Sequence, residues 1–272
     1  MSLYDIIIGG VAGIVSRSTT APLDLYKIQR QNFFIPNATI RDTIRKEGFR
    51  YLWKGNLTNC IKIFPYTGIN YAVYSSTNKY ITDNYSDKSI FLERHNLIHL
   101  ISGGVGGVVS TLCVYPLETV RTRLSLQLCR NKYKGIFDAL YKIPKRELYG
   151  GLSVSICGFT IFNALNFFWF NKLKAHFPSE PMNPLSKIFY GGTAGLLSIV
   201  VTYPSDLLRR RMQLRNYDSV VPKYNGVVDC IRKIYNSDGI FGFYKGFIPA
   251  SIRIFPTIGI QFLCFETLKK NN

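Results

Sequence analysis

One short cluster occurs three times along this chain: a proline, an acidic residue two positions later and a basic residue three positions after that. The copies read PLDLYK at 22–27, PLETVR at 116–121 and PSDLLR at 204–209. Two glycines in GxxxG spacing and a serine precede each proline at the same offsets: Gly9, Gly13 and Ser16; Gly103, Gly107 and Ser110; Gly191, Gly195 and Ser198. Matching offsets in three copies indicate a repeated module, and we predict repeats at 1–90, 91–180 and 181–272.

Each module also contains two long apolar stretches. Three of the six are free of Asp, Glu, Lys and Arg: 97–117, 148–171 and 188–205. The other three carry one or two isolated charges: 3–23, 55–78 and 246–265. A helix that spans a membrane needs about 20 mainly apolar residues, and the polar remainder of the chain is too small to wrap six such helices. The sequence therefore predicts an all-α membrane protein with six transmembrane helices.

The charge distribution predicts which segments share a side of the membrane. The chain has 34 Lys and Arg against 16 Asp and Glu, a formal net charge of +18. Much of the excess lies in the linkers inside the modules, which hold 7, 8 and 8 Lys or Arg between residues 27–54, 121–146 and 209–245. Because basic loops gather on one side of a membrane, we expect these three linkers on one side and both termini on the other.

A second motif follows each linker and completes the module. Copies one and three have an acid–glycine pair and then an aromatic–lysine–glycine triplet, at 47–48 with 53–55 and at 238–239 with 244–246. Copy two keeps only Tyr149-Gly150-Gly151. Together these motifs resemble the mitochondrial carrier family, whose signature is Px[DE]xx[KR]x[KR], a linker and [DE]Gxxxx[WYF][KR]G. Copy three fits in full, whereas copy one has Gln29 in place of the second base.

The resemblance implies a fold, a location and two gates. The fold has three pseudo-threefold repeats with short linker helices on the matrix side of the mitochondrial inner membrane. Ion pairs across the axis form the matrix gate, with two glutamines as braces: Asp24 with Arg121, Glu118 with Arg209, Asp206 with Lys27, and Gln31 and Gln213. A cytoplasmic gate is expected from Lys174, Glu266 and Lys269. Its motif [FY][DE]xx[KR] is complete only at 265–269, so we expect this gate to be weaker and to open more easily.

The positions where the copies disagree point to the substrate. Lys62 and Arg253 each lie three residues before a proline, and their counterpart in copy two is Gly158. Arg17 replaces Thr111 and Ile199 of the other copies. Ionisable residues inside a membrane are expensive and usually functional. With no intramembrane acid left over to pair with these three cations, we expect a polyanionic substrate to bind between them.

The same region is similar to the branch of the family that carries adenine nucleotides, ATP-Mg and coenzyme A. That similarity implies that Gly158 and Phe159 accommodate a base. Asn70 and Asn163 can hydrogen-bond a base or sugar, or equally a neighbouring helix. We therefore expect an exchanger of nucleotides or nucleotide-like phosphates that works by alternating access, with a coenzyme A carrier as the alternative. Carriers of keto acids or amino acids are disfavoured because three central cations exceed the charge of such substrates.

The remaining predictions concern partners and other function classes. A membrane lipid, cardiolipin, is expected where backbone amides and a cation meet the membrane surface: Trp53, Lys54, Gly55, Tyr244, Lys245 and Gly246. A basic nucleic-acid-binding protein would gather its cations on one soluble face, whereas here they lie at span ends in threefold register. We expect a monomer that binds no nucleic acid, no cofactor and no metal. The sequence contains no recognisable nucleophile–base pair and no phosphate-binding loop, so we do not expect an enzyme.

Overall fold

The computed structural model describes residues 3–32, 40–84, 88–127, 132–176, 184–217 and 222–270, and all contacts given below lie within these ranges. These residues form helices and no strand. The α-helices in chain order are α1 Leu3–Thr19, α2 Ala21–Gln31, α3 Ile40–Glu47, α4 Asn56–Ile61, α5 Ile63–Asn84, α6 Lys88–Ser125, α7 Ile136–Lys142, α8 Lys145–Leu148, α9 Leu152–His176, α10 Pro184–Gln213, α11 Val227–Asp238 and α12 Phe247–Lys270. Short 3-10 helices cover Phe49–Trp53 and Ile240–Tyr244.

Within the described residues, the long helices form six rods, two from each module. In the first module each rod consists of two consecutive helices, α1 with α2 and α4 with α5. The other rods are α6, α9, α10 and α12. Pro116 and Pro204 lie inside α6 and α10, so each of these helices continues beyond its proline into the basic cluster. The predicted all-α architecture is confirmed, and α3, α7 and α11 are the expected linker helices.

The rods are arranged as a closed ring. The second rod of each module packs against the first rod of the next, so that α5 contacts α6, α9 contacts α10 and α12 contacts α1. Small residues permit the close approach of neighbouring rods. A Cβ atom on Gly106 of α6, for example, would lie only 2.9 Å from the backbone oxygen of Asn70 on α5.

The surface of the ring is apolar and its buried polar residues are concentrated near the proline clusters. Phe167, Phe168 and Ile248 are each more than half exposed, as is expected of side chains that a bilayer covers. The segments Lys145–His176 and Ile240–Cys264 are long and apolar enough to cross a membrane on composition alone. The first rods of the modules are less apolar because their proline clusters carry charges.

Candidate functional site

The acids and bases of the proline clusters meet at one end of the ring. Each acid lies two residues after its proline and each base five, so both project from successive turns of the same rod. All three predicted ion pairs are formed: Arg121 Nη2 to Asp24 Oδ2 at 2.7 Å, Lys27 Nζ to Asp206 Oδ2 at 2.6 Å and Arg209 Nη1 to Glu118 Oε1 at 3.1 Å. We call these six residues the proline-cluster network. Every pair joins two different modules, and the network therefore closes this end of the ring.

Two of the three acids of the network also hold a central cation. Arg253 Nη1 lies 3.0 Å from Asp24 Oδ1, and Lys62 Nζ lies 3.5 Å from Glu118 Oε1. The expectation that no acid would remain for these central cations was wrong. Each carboxylate oxygen has two lone pairs, so an acid already paired within the network can accept another base, on its second oxygen in Asp24 and on the same Oε1 in Glu118.

Arg17 differs from the other two central cations in its partner. Its Nη1 donates to the side-chain oxygen of neutral Asn59 at 3.1 Å. An anion that binds Arg17 therefore does not have to displace a carboxylate there. Asn59 was not among the residues predicted from the sequence, and nothing in the repeats singles it out.

The two predicted glutamine braces behave differently. Gln31 Nε2 donates to Asp206 Oδ2 at 3.0 Å and to the Tyr203 hydroxyl at 3.2 Å, so it supports the Lys27–Asp206 pair directly. Gln213 instead accepts from Thr122 Oγ1 at 2.7 Å. Its contact with the network is indirect because Thr122 and a further cation lie between them.

That further cation is Arg210, which sequence reasoning missed. Its side chain is buried at 5% exposure, donates from Nη1 to Thr122 Oγ1 at 2.6 Å and lies 4.0 Å from Glu118. Its Nε has no hydrogen-bond partner among the described residues. The counterparts of Arg210 in the other copies are Ile28 and Thr122. The same search for broken symmetry that found Arg17 would therefore have found it.

The residues expected to contact a base lie on α5 and α9. Gly158 is buried, and a Cβ atom there would collide with Ser205 Oγ on α10. Its small size is thus required for helix packing. Phe159 is 43% exposed. Asn163 donates to its own helix at the Phe159 oxygen, 2.9 Å away, and Asn70 lies 3.5 Å from Ser110 Oγ on α6.

The opposite end of the ring carries few of the expected gate contacts among the described residues. Lys174 is exposed near the end of α9. The side chains of Glu266 and Lys269 lie outside the described residues, so this gate stays a prediction. In copy one the Tyr74 hydroxyl is 2.7 Å from His99 Nδ1, a contact that joins α5 to α6 at this end.

The aromatic–lysine–glycine triplets adopt the same backbone turn in copies one and three. Gly55 and Gly246 both have φ +84°, which an L side chain rarely adopts. Trp53 Nε1 donates to the Ser18 oxygen at 2.8 Å, and the Tyr244 hydroxyl donates to the Val200 oxygen at 3.3 Å. Both aromatic rings are thereby tied to the first rod of their own module.

The two lysines of these triplets have different partners. Lys54 Nζ donates to the Gln127 oxygen at 3.0 Å, whereas Lys245 Nζ lies 2.6 Å from Asp238 Oδ1. Burial opposes ionisation of Asp238, but the hydrogen bond and the positive charge of Lys245, together with a hydrogen bond from Ser237 and the charge of Arg211, outweigh it and hold the pKa of that carboxyl below its ordinary value.

A cavity of about 460 Å³ lies beside the third triplet, between the ends of α2 and α12. Its lining combines three aromatic residues, Tyr26, Tyr244 and Phe247, with three basic side chains, those of Arg30, Arg211 and Lys245. A site of this composition suits an anionic group attached to an apolar body.

A ring of membrane-spanning rods that is closed at one end by ion pairs between repeats is the architecture of a membrane carrier. Comparison with known proteins points to the same class of protein. The model of the mitochondrial carrier protein family matches residues 2–85, 93–181 and 180–271. The chain belongs to this family, and it is a multi-pass protein of the mitochondrial inner membrane.

Three relatives are named for adenine nucleotides. The chain is 33% identical over 280 residues to the adenine nucleotide transporter BT1 of Arabidopsis thaliana, covering 99% of this chain and 70% of the relative. It is 32% identical to the mitochondrial adenyl nucleotide antiporter SLC25A24 of Oryctolagus cuniculus, covering 97% of this chain and 57% of the relative. It is 30% identical to the mitochondrial adenine nucleotide transporter ADNT1 of Arabidopsis thaliana, covering 96% of this chain and 84% of the relative. The chain thus spans little more than half the length of the rabbit antiporter.

Proposed function

We propose that this protein exchanges nucleotides, or nucleotide-like phosphorylated anions, across the mitochondrial inner membrane by alternating access through one central site. The observation that carries the proposal is the convergence of Arg17, Lys62 and Arg253 beside the proline-cluster network. The names of the relatives support adenine nucleotides as the class of substrate. Transport of this kind needs no bond to be made or broken in the substrate, so the proposal includes no enzymatic step.

The charges around the network favour a polyanion. Within the described residues, seven basic side chains surround its three acids: Arg17, Lys27, Lys62, Arg121, Arg209, Arg210 and Arg253. An unpaired charge inside a membrane is costly, so the excess of four positive charges favours a ligand with several negative charges. A nucleotide phosphate chain supplies them in one molecule, whereas a keto acid or amino acid does not.

The proline-cluster network serves as the matrix gate in this proposal. It is closed here, so the central cations are reached from the opposite, cytoplasmic side. Opening requires the three inter-module pairs to separate, and the phosphates of a bound nucleotide compensate Lys62 and Arg253 when those cations leave Glu118 and Asp24. Substrate binding then lowers the free energy that separation of the pairs requires.

Exchange in liposomes tests the proposed function. Purified protein reconstituted with internal ADP should take up labelled ATP, ADP or AMP, and an excess of external nucleotide should inhibit that uptake. A panel containing coenzyme A, a keto acid and an amino acid separates the alternatives. Uptake of coenzyme A with no uptake of nucleotides would make this a coenzyme A carrier, and uptake of the small acids alone would overturn both readings.

For the lipid partner, we propose that the cavity beside Tyr244, Lys245 and Gly246 binds a cardiolipin headgroup. Its three basic side chains and the first backbone amides of α12 suit a phosphate. Added cardiolipin should raise the melting temperature of the detergent-solubilised protein, and Lys245→Gln should reduce that rise. Lys233→Gln changes an exposed lysine on α11 and should leave the rise intact. An equal rise in melting temperature in the wild type, Lys245→Gln and Lys233→Gln would contradict the assignment.

A further inference from the structure

The helix that bears each proline cluster ends at a contact with the preceding module. The last carbonyl groups of an α-helix have no partner within it, and cations are stabilising there. At the junction of modules two and three, Arg123 Nε donates to the Gln213 oxygen at 3.0 Å and its Nη2 to the Arg215 oxygen at 3.0 Å. The end of α10 is thus capped from module two.

The same contact recurs between modules three and one. Arg211, the threefold counterpart of Arg123, points its Nε at the Gln31 oxygen at the end of α2, 3.4 Å away. Gln31 is the counterpart of Gln213. Equivalent arginines therefore cap equivalent carbonyls at two of the three junctions.

The third junction lacks this arginine. Its position is occupied by Gln29, which is buried and whose Nε2 has no hydrogen-bond partner among the described residues. The carbonyl oxygens at the end of α6 are bonded all the same. Tyr51 donates its hydroxyl to the Ser125 oxygen at 3.4 Å, and Lys54 Nζ donates to the Gln127 oxygen at 3.0 Å.

The position of Lys54 has counterparts in the other two modules, where an arginine makes the cap. In module two its position holds Gly150, and Arg123 caps the neighbouring helix. In module three it holds Lys245, which bonds to Asp238 while Arg211 makes the cap. Among the described contacts, the lysine bond to a helix end is found at the junction that lacks the arginine.

We propose that Lys54, assisted by Tyr51, is a positioning residue that replaces the missing arginine at position 29. The capped carbonyls belong to Ser125 and Gln127, four and six residues beyond Arg121, the base that pairs with Asp24 of module one. By fixing the end of α6, Lys54 aligns that pair across the junction. This role is separate from the proposed substrate and does not involve lipid.

The test is a second-site rescue. Lys54→Gln should lower the maximal exchange rate about tenfold, with the half-saturation concentration unchanged, because a charged hydrogen bond to the helix end is lost. Lys54→Arg should retain exchange. Adding Gln29→Arg to Lys54→Gln should restore the rate to within about twofold, since it places the arginine of the other two junctions in the third. Lys142→Gln, in an exposed pair with Asp138, is the matched control.

Melting temperatures measured on the same proteins do not depend on the substrate. The double variant should melt at a higher temperature than Lys54→Gln, and this holds even if that single variant folds too poorly for transport. The proposal is overturned if Gln29→Arg fails to restore stability while folding normally in the wild-type background. It is equally overturned if added cardiolipin restores the exchange rate of Lys54→Gln and the Gln29→Arg substitution does not. The lysine would then be a lipid ligand.

Discussion

Arg253 Nη1 lies 3.0 Å from Asp24 Oδ1, while the other oxygen of the same carboxylate holds Arg121. Asp24 therefore belongs to the closed end of the ring and to the central site at once. A phosphate that binds Arg253 must compete with Asp24 for it, so the affinity for substrate and the strength of the closed end are linked.

This link predicts that substitutions of Arg253 and of Asp24 change the affinity for substrate in opposite directions. Arg253→Gln should raise the half-saturation concentration for a nucleotide about tenfold or more, because it removes a charge-assisted contact. Asp24→Asn should lower that concentration, because it frees Arg253, and should also weaken closure. Measurement of half-saturation and of substrate leak from preloaded liposomes checks both effects. Weaker binding in Asp24→Asn would contradict the competition.

Arg17 should contribute to binding without such competition, since its partner Asn59 is neutral. We expect Arg17→Gln to weaken binding about tenfold or more while leaving the leak of preloaded substrate unchanged. Exchange measured with AMP, ADP and ATP should show the largest loss where the substrate has most charge. An equal loss for all three nucleotides would indicate that Arg17 positions the helix and does not bind phosphate.

Much of the fold followed from the sequence because repetition constrains it, and the pairing in the proline-cluster network followed from the resemblance to the carrier family. Three copies of one spacing place Asp24, Glu118 and Asp206 at equal depth, and a closed ring then brings each acid to a base of another module. The sharing of Asp24 and Glu118 by a second cation did not follow. It depends on how far the side chains of Arg253 and Lys62 reach toward the other modules. The distance between the rods determines that reach, and the spacing of residues along the sequence does not.

The direct brace at Gln31 should stabilise the closed end. Gln31→Ala removes a buried hydrogen bond to the Asp206 carboxylate, a loss of about 2 kcal/mol, and we expect the melting temperature to fall by about 5 °C. Asn236→Ala, on the exposed face of α11, is the control. An unchanged melting temperature together with unchanged leak would show that the Lys27–Asp206 pair does not need the brace.

Gly158 allows packing and a proposed role in base binding to be separated. Gly158→Ala should destabilise the protein because its methyl group collides with Ser205 Oγ of α10, and overpacking typically costs about 1–3 kcal/mol. The double variant Gly158→Ala, Ser205→Gly should recover the melting temperature. If exchange recovers with it, the glycine is needed for packing alone. If stability returns without exchange, the position also contacts the substrate.

Arg210 gives the prediction that depends most on broken symmetry. Lys62, Arg209 and Arg210 all approach Glu118, whereas the other modules place Ile28 and Thr122 where module three has Arg210. Without Arg210, only Lys62 and Arg209 of these three cations share the Glu118 carboxylate. Glu118 should then hold Lys62 more strongly, because fewer cations compete for it. We therefore expect Arg210→Thr, which installs the residue of module two, to weaken nucleotide binding.

The size of that effect should depend on the charge of the substrate. Loss of one positive charge disfavours ATP more than AMP, so the ratio of their half-saturation concentrations should rise several-fold in Arg210→Thr. Raising the ionic strength should reduce the difference little, because the group is buried and poorly screened. Arg232→Thr removes an exposed arginine of α11 and should leave the ratio unchanged. A uniform fall in exchange at a constant ratio would instead mean that Arg210 acts only through the structure of the closed end.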